Sequence, residues 1–442
     1  MTLVLTAAAL VLVAIYIHVL VRRVDVGLIS LLAAELVYIA MGPNSALFGP
    51  IHLSPLDGVS FCLLLAGVIR TLAFRRGFSS TRIFAFAYLA LFAISLMRGI
   101  SANGLFAAGN EAREFIGALT ATLYFLTVPA DEKSIRRLTA VYLCFGACLC
   151  GIVVLAALGA PIGISAWNGA DLRAIDGRYL PSDGAAALAV CGFFSLAMSR
   201  YQRTGIFLKL VPIIFIAFAV YLRHRTVWVM LLASIAALPL LDRRLLRSIL
   251  PAALAAGFLV TALAIYGGTV QGLAGENKFE QAASNGQTFT WRLNGWKELV
   301  LDEEQTPLTM AIGKSIGSGY WRVDPVSYQV VVVVPHSEYI QEYLRVGVIG
   351  LLCIVLFAVR PIFALWRLNR IDPAAVFPSA SGWALVVFAI LVYGITYGIE
   401  PHSYALIGIA NAIVLEQRQE ATAEDDGEAW PLVMATAGEG VE

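Results

Sequence analysis

The sequence predicts an all-α polytopic membrane protein with about twelve or thirteen spanning helices and one long polar loop that bears short helices. Three observations carry that reading. Only 14% of the 442 residues are charged and 59% are hydrophobic, whereas soluble domains hold roughly 25% charged residues. Apolar runs of the length a bilayer demands recur along the chain. Clusters of arginine and lysine mark every second connection between those runs, the pattern that positive loops retained in the cytoplasm produce.

The runs fall near 3–21, 27–41, 58–74, 82–97, 114–129, 138–159, 183–199, 206–222, 226–241, 248–267, 337–359, 381–398 and 403–415, the last short enough to be partly interfacial. The first starts at Leu3 with no basic stretch before it and no small-residue cleavage site after it, so it reads as a retained helix. The basic series comprises Arg22-Arg23, Arg75-Arg76 with Arg82, Lys133 with Arg136-Arg137, Arg200 with Arg203, Arg243-Arg244 with Arg247, and Arg360 with Arg367 and Arg370. These loops set the cytoplasmic side, so 42–57, 98–113, 160–182, 223–225, 268–336 and 399–402 face outward. The chain then divides into membrane helices at 1–267, an extracytoplasmic loop at 268–336, membrane helices at 337–416 and a disordered cytoplasmic tail at 417–442. No internal repeat is evident. A net charge of +1 gives no reason to expect a nucleic-acid partner. The six cysteines all sit in apolar runs and read as buried thiols that pack as small hydrophobes.

Arginines in the outward connections run against this grain. Arg223-His224-Arg225 is a tight outward turn between two apolar runs. It is either a snorkelling pair at the interface or a phosphate site, since the guanidinium stays charged and presents a planar fork of donors. Arg98, Glu111, Arg113 and Glu114 occupy the 98–113 connection and its edge; Trp167, Arg173, Asp176, Arg178, Tyr179 and Asp183 occupy the next. Arg173 and Arg322 read individually as solvated surface charges.

The long loop holds the polar chemistry. Residues 288–303 alternate in a helical way, with Trp291, Trp296 and Leu299 set against Arg292, Lys297 and Glu298, as in an amphipathic helix along the membrane face. A glycine-rich piece at 313–319 and an extended valine run at 330–334 follow. Pro335 then punctuates the chain, and His336, Tyr339, Ile340, Tyr343 and Gly347 form one helical stripe. An imidazole there is suited to take a proton from a hydroxyl. Glu338 and Glu342, one turn apart, are placed to orient such a base, and His402 beside Glu400 is a second candidate. The outward loops carry no metal-ligand motif, so arginines would neutralise any bound diphosphate.

These residues resemble the O-antigen ligase and polymerase family of bacterial membrane glycosyltransferases. The resemblance rests on Arg292 and Trp296 at their spacing, the glycine-rich turn, His336 with Tyr339 and Ile340, and Gly347 with Gly350. Weaker pieces are His224-Arg225-Thr226, the turn from Gly177-Arg178 to Gly184, and Gly398-Ile399-Glu400. The chain departs from the family at Ser337, Ser182-Asp183 and Arg345. The resemblance implies a GT-C-like fold and an inverting, metal-independent glycosyl transfer at the outer face of the bacterial inner membrane. The donor would be a glycan on undecaprenyl diphosphate, and the acceptor another glycan or lipid A-core. On this view His336, Arg225 and Arg292 are catalytic. Arg223, His224, Arg178, Arg113, Trp291, Trp296, Tyr339, Glu338, Glu400 and His402 contact diphosphate or sugar. No cofactor is implied, and other polysaccharide-assembly proteins are possible partners. A polymerase is favoured over a ligase. The reading from another class is a flippase or exporter of lipid-linked oligosaccharide, which needs mid-helix charges around a central cavity.

Overall fold

The computed structural model describes residues 2–42, 53–73, 80–164, 178–201, 206–249, 287–301, 305–323 and 329–425, with scattered positions between 251 and 258. Arg75, Arg76, Trp167, Arg173, Asp176, Gly177, Arg203, most of the apolar run at 248–267, the loop from 268 to 286 and the tail from 426 lie outside the described residues.

In chain order the helices are α1 (Thr2–Arg22), α2 (Val24–Met41), α3 (Pro55–Ala73), α4 (Ser80–Ala112), α5 (Ile116–Leu123), α6 (Glu132–Ala157), α7 (Ser182–Tyr201), α8 (Ile206–Tyr221) and α9 (Arg225–Leu241). After them come α10 (Gln287–Val300), α11 (Pro307–Ile312), strands β1 (Trp321–Val323) and β2 (Val330–Val332), α12 (Glu338–Ile371), α13 (Ala380–Gly394) and α14 (Pro401–Asp425). Among the described residues six helical stretches are long and apolar enough to cross a membrane, and four shorter apolar helices accompany them. The chain is an all-α, multi-pass membrane protein in which the two strands form one antiparallel ribbon, with Arg322 opposite Val331.

The centre of the bundle is α7, α13 and the first part of α14. Small residues from Gly184 to Ala187 let α7 sit with nearly every side chain buried, and the Phe194 ring meets the buried Trp383 edge-on at 4.8 Å. Lipid offers no hydrophobic gain between helices, so close approach through small residues and buried hydrogen bonds takes over. Asn411 supplies one such bond, donating from Nδ2 to the Phe357 carbonyl at 2.9 Å.

Several expectations change. The connection at 98–113 is helical: α4 continues through it to Ala112, broken only at Gly104 with φ 84°. The run at 114–129 is a short α5 flanked by 3-10 turns, and the buried Arg70 of α3 closes its end by donating to the Thr127 hydroxyl and carbonyl. Arg360, Arg367 and Arg370 ride on the far end of α12, where long unbranched side chains favour helix and positive charge suits the C-terminal dipole. The last helix passes Gln417 and reaches Asp425. Cys144 and Cys148 are exposed on the outer side of α6 instead of buried.

The glycine-rich turn is a docking device. Gly313 (φ 82°) and Gly347 (φ 69°) both adopt backbone that side chains resist. A Cβ on Gly313 would lie 2.2 Å from the Arg345 backbone, and one on Gly347 would lie 2.2 Å from the Ala311 carbonyl oxygen. The turn therefore presses against α12 at its break, where Lys314 N donates to the Leu344 carbonyl at 2.7 Å. The helix is kinked at the position where the sequence stripe reads as continuous.

Candidate functional site

Tyr397, in the turn between α13 and α14, is the point where distant parts of the chain meet. The Arg292 guanidinium of α10 lies over its ring at 4.7 Å, inside the range of a cation–π contact. Arg292 also donates to the Thr396 carbonyl at 3.0 Å and to the Tyr397 hydroxyl at 3.2 Å. The His336 ring is 5.8 Å from Tyr397, and Tyr393 stacks beneath Tyr397 at 5.5 Å. The backbone of Glu338 donates to the Tyr397 carbonyl, which ties the start of α12 to this turn.

The Arg223-His224-Arg225 turn closes the other half of the ring. The Thr396 hydroxyl donates to Thr226 at 3.1 Å, so Arg225, first residue of α9, is one position from the group bonded to the Arg292 segment. His224 pairs through Nε2 with the Leu180 carbonyl at 2.9 Å, joining this turn to the stretch that holds Arg178. Tyr179 bonds to Tyr221 and feels the charge of Arg223; burial raises its phenol pKa. Arg223 has φ 58°, and among the described residues it is the non-glycine position with left-handed backbone, a strain that collects at functional turns.

Charge of both signs gathers at this end, where the carboxylates of Asp183 and Glu400 face Tyr393. The N-terminal ends of α7, α9 and α12 arrive there, each carrying partial positive charge, and Arg178, Arg223, Arg225 and Arg292 come with them. Arg292 is half-buried and held in place by two of its five donors. Its Nε is buried without a hydrogen-bond partner.

Other expected contacts are used within the protein. Arg113 pairs with Asp57, whose carboxylate also accepts from Ser54 N and so caps α3. Arg322 is 4% exposed, not a solvated surface charge: its guanidinium stacks on Trp291 at 3.7 Å in a space that Gly295 leaves open. That stacking occupies one face of Trp291, while Trp296 is half-buried on the same helix. Tyr339 donates to the Leu391 carbonyl at 2.6 Å. Glu338 turns both carboxylate oxygens to Tyr404 and the Ile399 amide. His402 is fully buried and pairs with Glu35 of α2, packed against the rings of Tyr142 and Phe145. It is part of the core, not of an open loop. Glu400 is half-buried beside it. Burial, then the nearby carboxylates of Asp183 and Glu35, hold its carboxyl well above the usual range.

Tyr397 escaped the sequence reading, and Arg345 was read there only as a departure from a resembled pattern. Tyr397 ends an apolar run, next to Gly398-Ile399-Glu400 but outside that motif. Arg345 is a structural centre: 1% exposed, paired with Glu111 and stacked on Tyr320 at 4.3 Å. Glu111 in turn accepts from the amides of Gly317 and Gly319. No family model and no curated protein matches the chain.

Proposed function

We propose that the protein is a glycosyltransferase that moves a glycan from undecaprenyl diphosphate to an acceptor hydroxyl at the outer face of the bacterial inner membrane. The observation that carries this reading is the meeting of Arg292, His336 and the Arg223–Arg225 turn around Tyr397. Such a group matches the reaction. A lipid diphosphate leaves as an anion, and fixed guanidinium donors stabilise charge that grows in the transition state. His336 is the imidazole beside Tyr397 that would accept the acceptor's proton. The acceptor oxygen bonds to the anomeric carbon from the face opposite the diphosphate, the carbon–oxygen bond to diphosphate breaks, and the proton passes to imidazole.

A polymerase is the favoured form. Purified protein incubated with a lipid-linked repeat unit and no second acceptor is expected to yield a ladder of longer lipid-linked products. Product that forms only when a different acceptor is added makes it a ligase. Loss of the lipid-linked substrate to the opposite leaflet without new glycosidic bonds points to an exporter.

A further inference from the structure

We propose that Glu338 and Glu342 form a binding site for one monovalent cation, a proton or a sodium ion, inside the helix bundle. They lie one turn apart on α12 and line a small pocket with Tyr339, Leu391, Ile399 and Tyr404, with about 10 Å³ of room for a water-sized sphere. Glu338 is 6% exposed and Glu342 is 0% exposed.

The hydrogen bonds leave a place for the cation. Glu338 accepts from the Tyr404 hydroxyl at 2.6 Å and from the Ile399 amide at 2.8 Å. Glu342 accepts at one oxygen from the Tyr88 hydroxyl at 2.9 Å, while its Oε2 is buried with no partner. Every donor to the pair is neutral. The other titratable groups facing it are Tyr88 and Glu114 from α4 and the turn after it, Tyr339 on α12 itself, Glu400, and Tyr404 on α14. None of these brings positive charge.

Two ionised carboxylates one helical turn apart, away from water, are not tolerated without compensation. Such pairs resolve the conflict by sharing a single positive charge. Among the described residues no three histidine, cysteine, aspartate or glutamate side chains come together as metal ligands, so the donor set is too small for zinc or calcium. One small cation at the open Glu342 oxygen completes it. Its position has a consequence for the neighbouring turn. Glu338 holds Ile399 by its side chain and Tyr397 by its backbone amide, so an occupied site fixes the segment against which Arg292 is seated.

The test uses the full chain purified in detergent, as wild type and as Glu342→Gln. Thermal unfolding is followed at constant ionic strength while sodium chloride replaces choline chloride, and infrared spectra record the protonated-carboxyl stretch. If sodium is the ligand, it raises the midpoint of the wild type saturably, by about 2 °C or more, and leaves Glu342→Gln unmoved. If a proton is the ligand, sodium has no effect and a protonated-carboxyl band disappears in the variant. Equal midpoints in both salts with no band lost in the variant overturn the proposal, as does a sodium response that persists unchanged in the variant. The same pair of measurements on Glu338→Gln decides the matter if Glu342→Gln does not fold.

Discussion

Arg292 sits 4.7 Å above the ring of Tyr397, a residue 105 positions further along the chain, and donates to the hydroxyl of that same residue. One aromatic side chain thus sets both the height and the direction of a guanidinium. Replacing Arg292 with alanine is expected to cut transfer by about 10²–10³-fold, the usual cost of removing a donor to developing charge. Lysine, a point charge without the planar fork, is expected to restore only part of it. Initial rates at saturating donor check both outcomes.

Tyr397→Phe keeps the ring under Arg292 and removes only the hydroxyl bond. A neutral hydrogen bond contributes about 1 kcal/mol, so a loss of about fivefold is expected, against a much larger loss for Tyr397→Ala. Equal losses in the two variants would show that the hydroxyl, not the ring, positions Arg292.

His336→Ala is expected to lower the rate by about 10²–10⁴-fold, the range for removal of a general base, while the protein still inserts and unfolds at the wild-type temperature. The measurement is turnover alongside a melting curve of the same preparation.

Arg345 and Gly347 predict the opposite pattern. Arg345→Ala leaves Glu111, 9% exposed at its side chain, as a buried charge without its partner, a change that costs about 3–5 kcal/mol. Gly347→Ala meets the Ala311 carbonyl on left-handed backbone. Both variants are expected to lose folded protein before they lose specific activity, as seen by size-exclusion recovery and the activity of the folded fraction.

Glu400 gives a pH-dependent prediction. Its carboxyl is held above its ordinary value of 4.5 by burial first and by Asp183 and Glu35 next. The folded state therefore binds more protons than the unfolded one, and stability falls as pH rises from about 4.5 toward the folded pKa. Glu400→Gln removes that penalty. Its melting temperature should match wild type near pH 4.5 and exceed it increasingly as the pH climbs, which parallel melts across pH would record.

Much of this was legible in the chain. The apolar runs located the helices, because a spanning helix must satisfy its backbone internally and its side chains must suit lipid. Arg292, His336 and Arg225 stood out because charge at a membrane edge is costly. The partners were not legible. Arg113 with Asp57, half-buried, and Arg345 with Glu111, buried, pair residues 56 and 234 positions apart, and no local pattern announces such a match. Arg322 read as a surface charge because nothing adjacent in sequence hints that Gly295 clears a space for it beside Trp291. Tyr397 was invisible for the reverse reason: a tyrosine at the end of an apolar helix is ordinary until three other segments converge on it. The kink at Gly347 was hidden because a glycine in a helical stripe carries no sign of its φ.

The central claim is that the arginines sort into those holding the protein together and those gathered around Tyr397 for a diphosphate. The most direct measurement is the affinity of purified, folded protein for undecaprenyl diphosphate, compared between wild type, Arg292→Ala and Arg113→Ala. Charge-assisted hydrogen bonds contribute about 1.5–3 kcal/mol each, so Arg292→Ala is expected to bind about 10-fold to 150-fold more weakly. Arg113→Ala, whose lost partner is Asp57, is expected to bind as wild type does. Equal affinity in wild type and Arg292→Ala, or a larger loss in Arg113→Ala, would contradict the account.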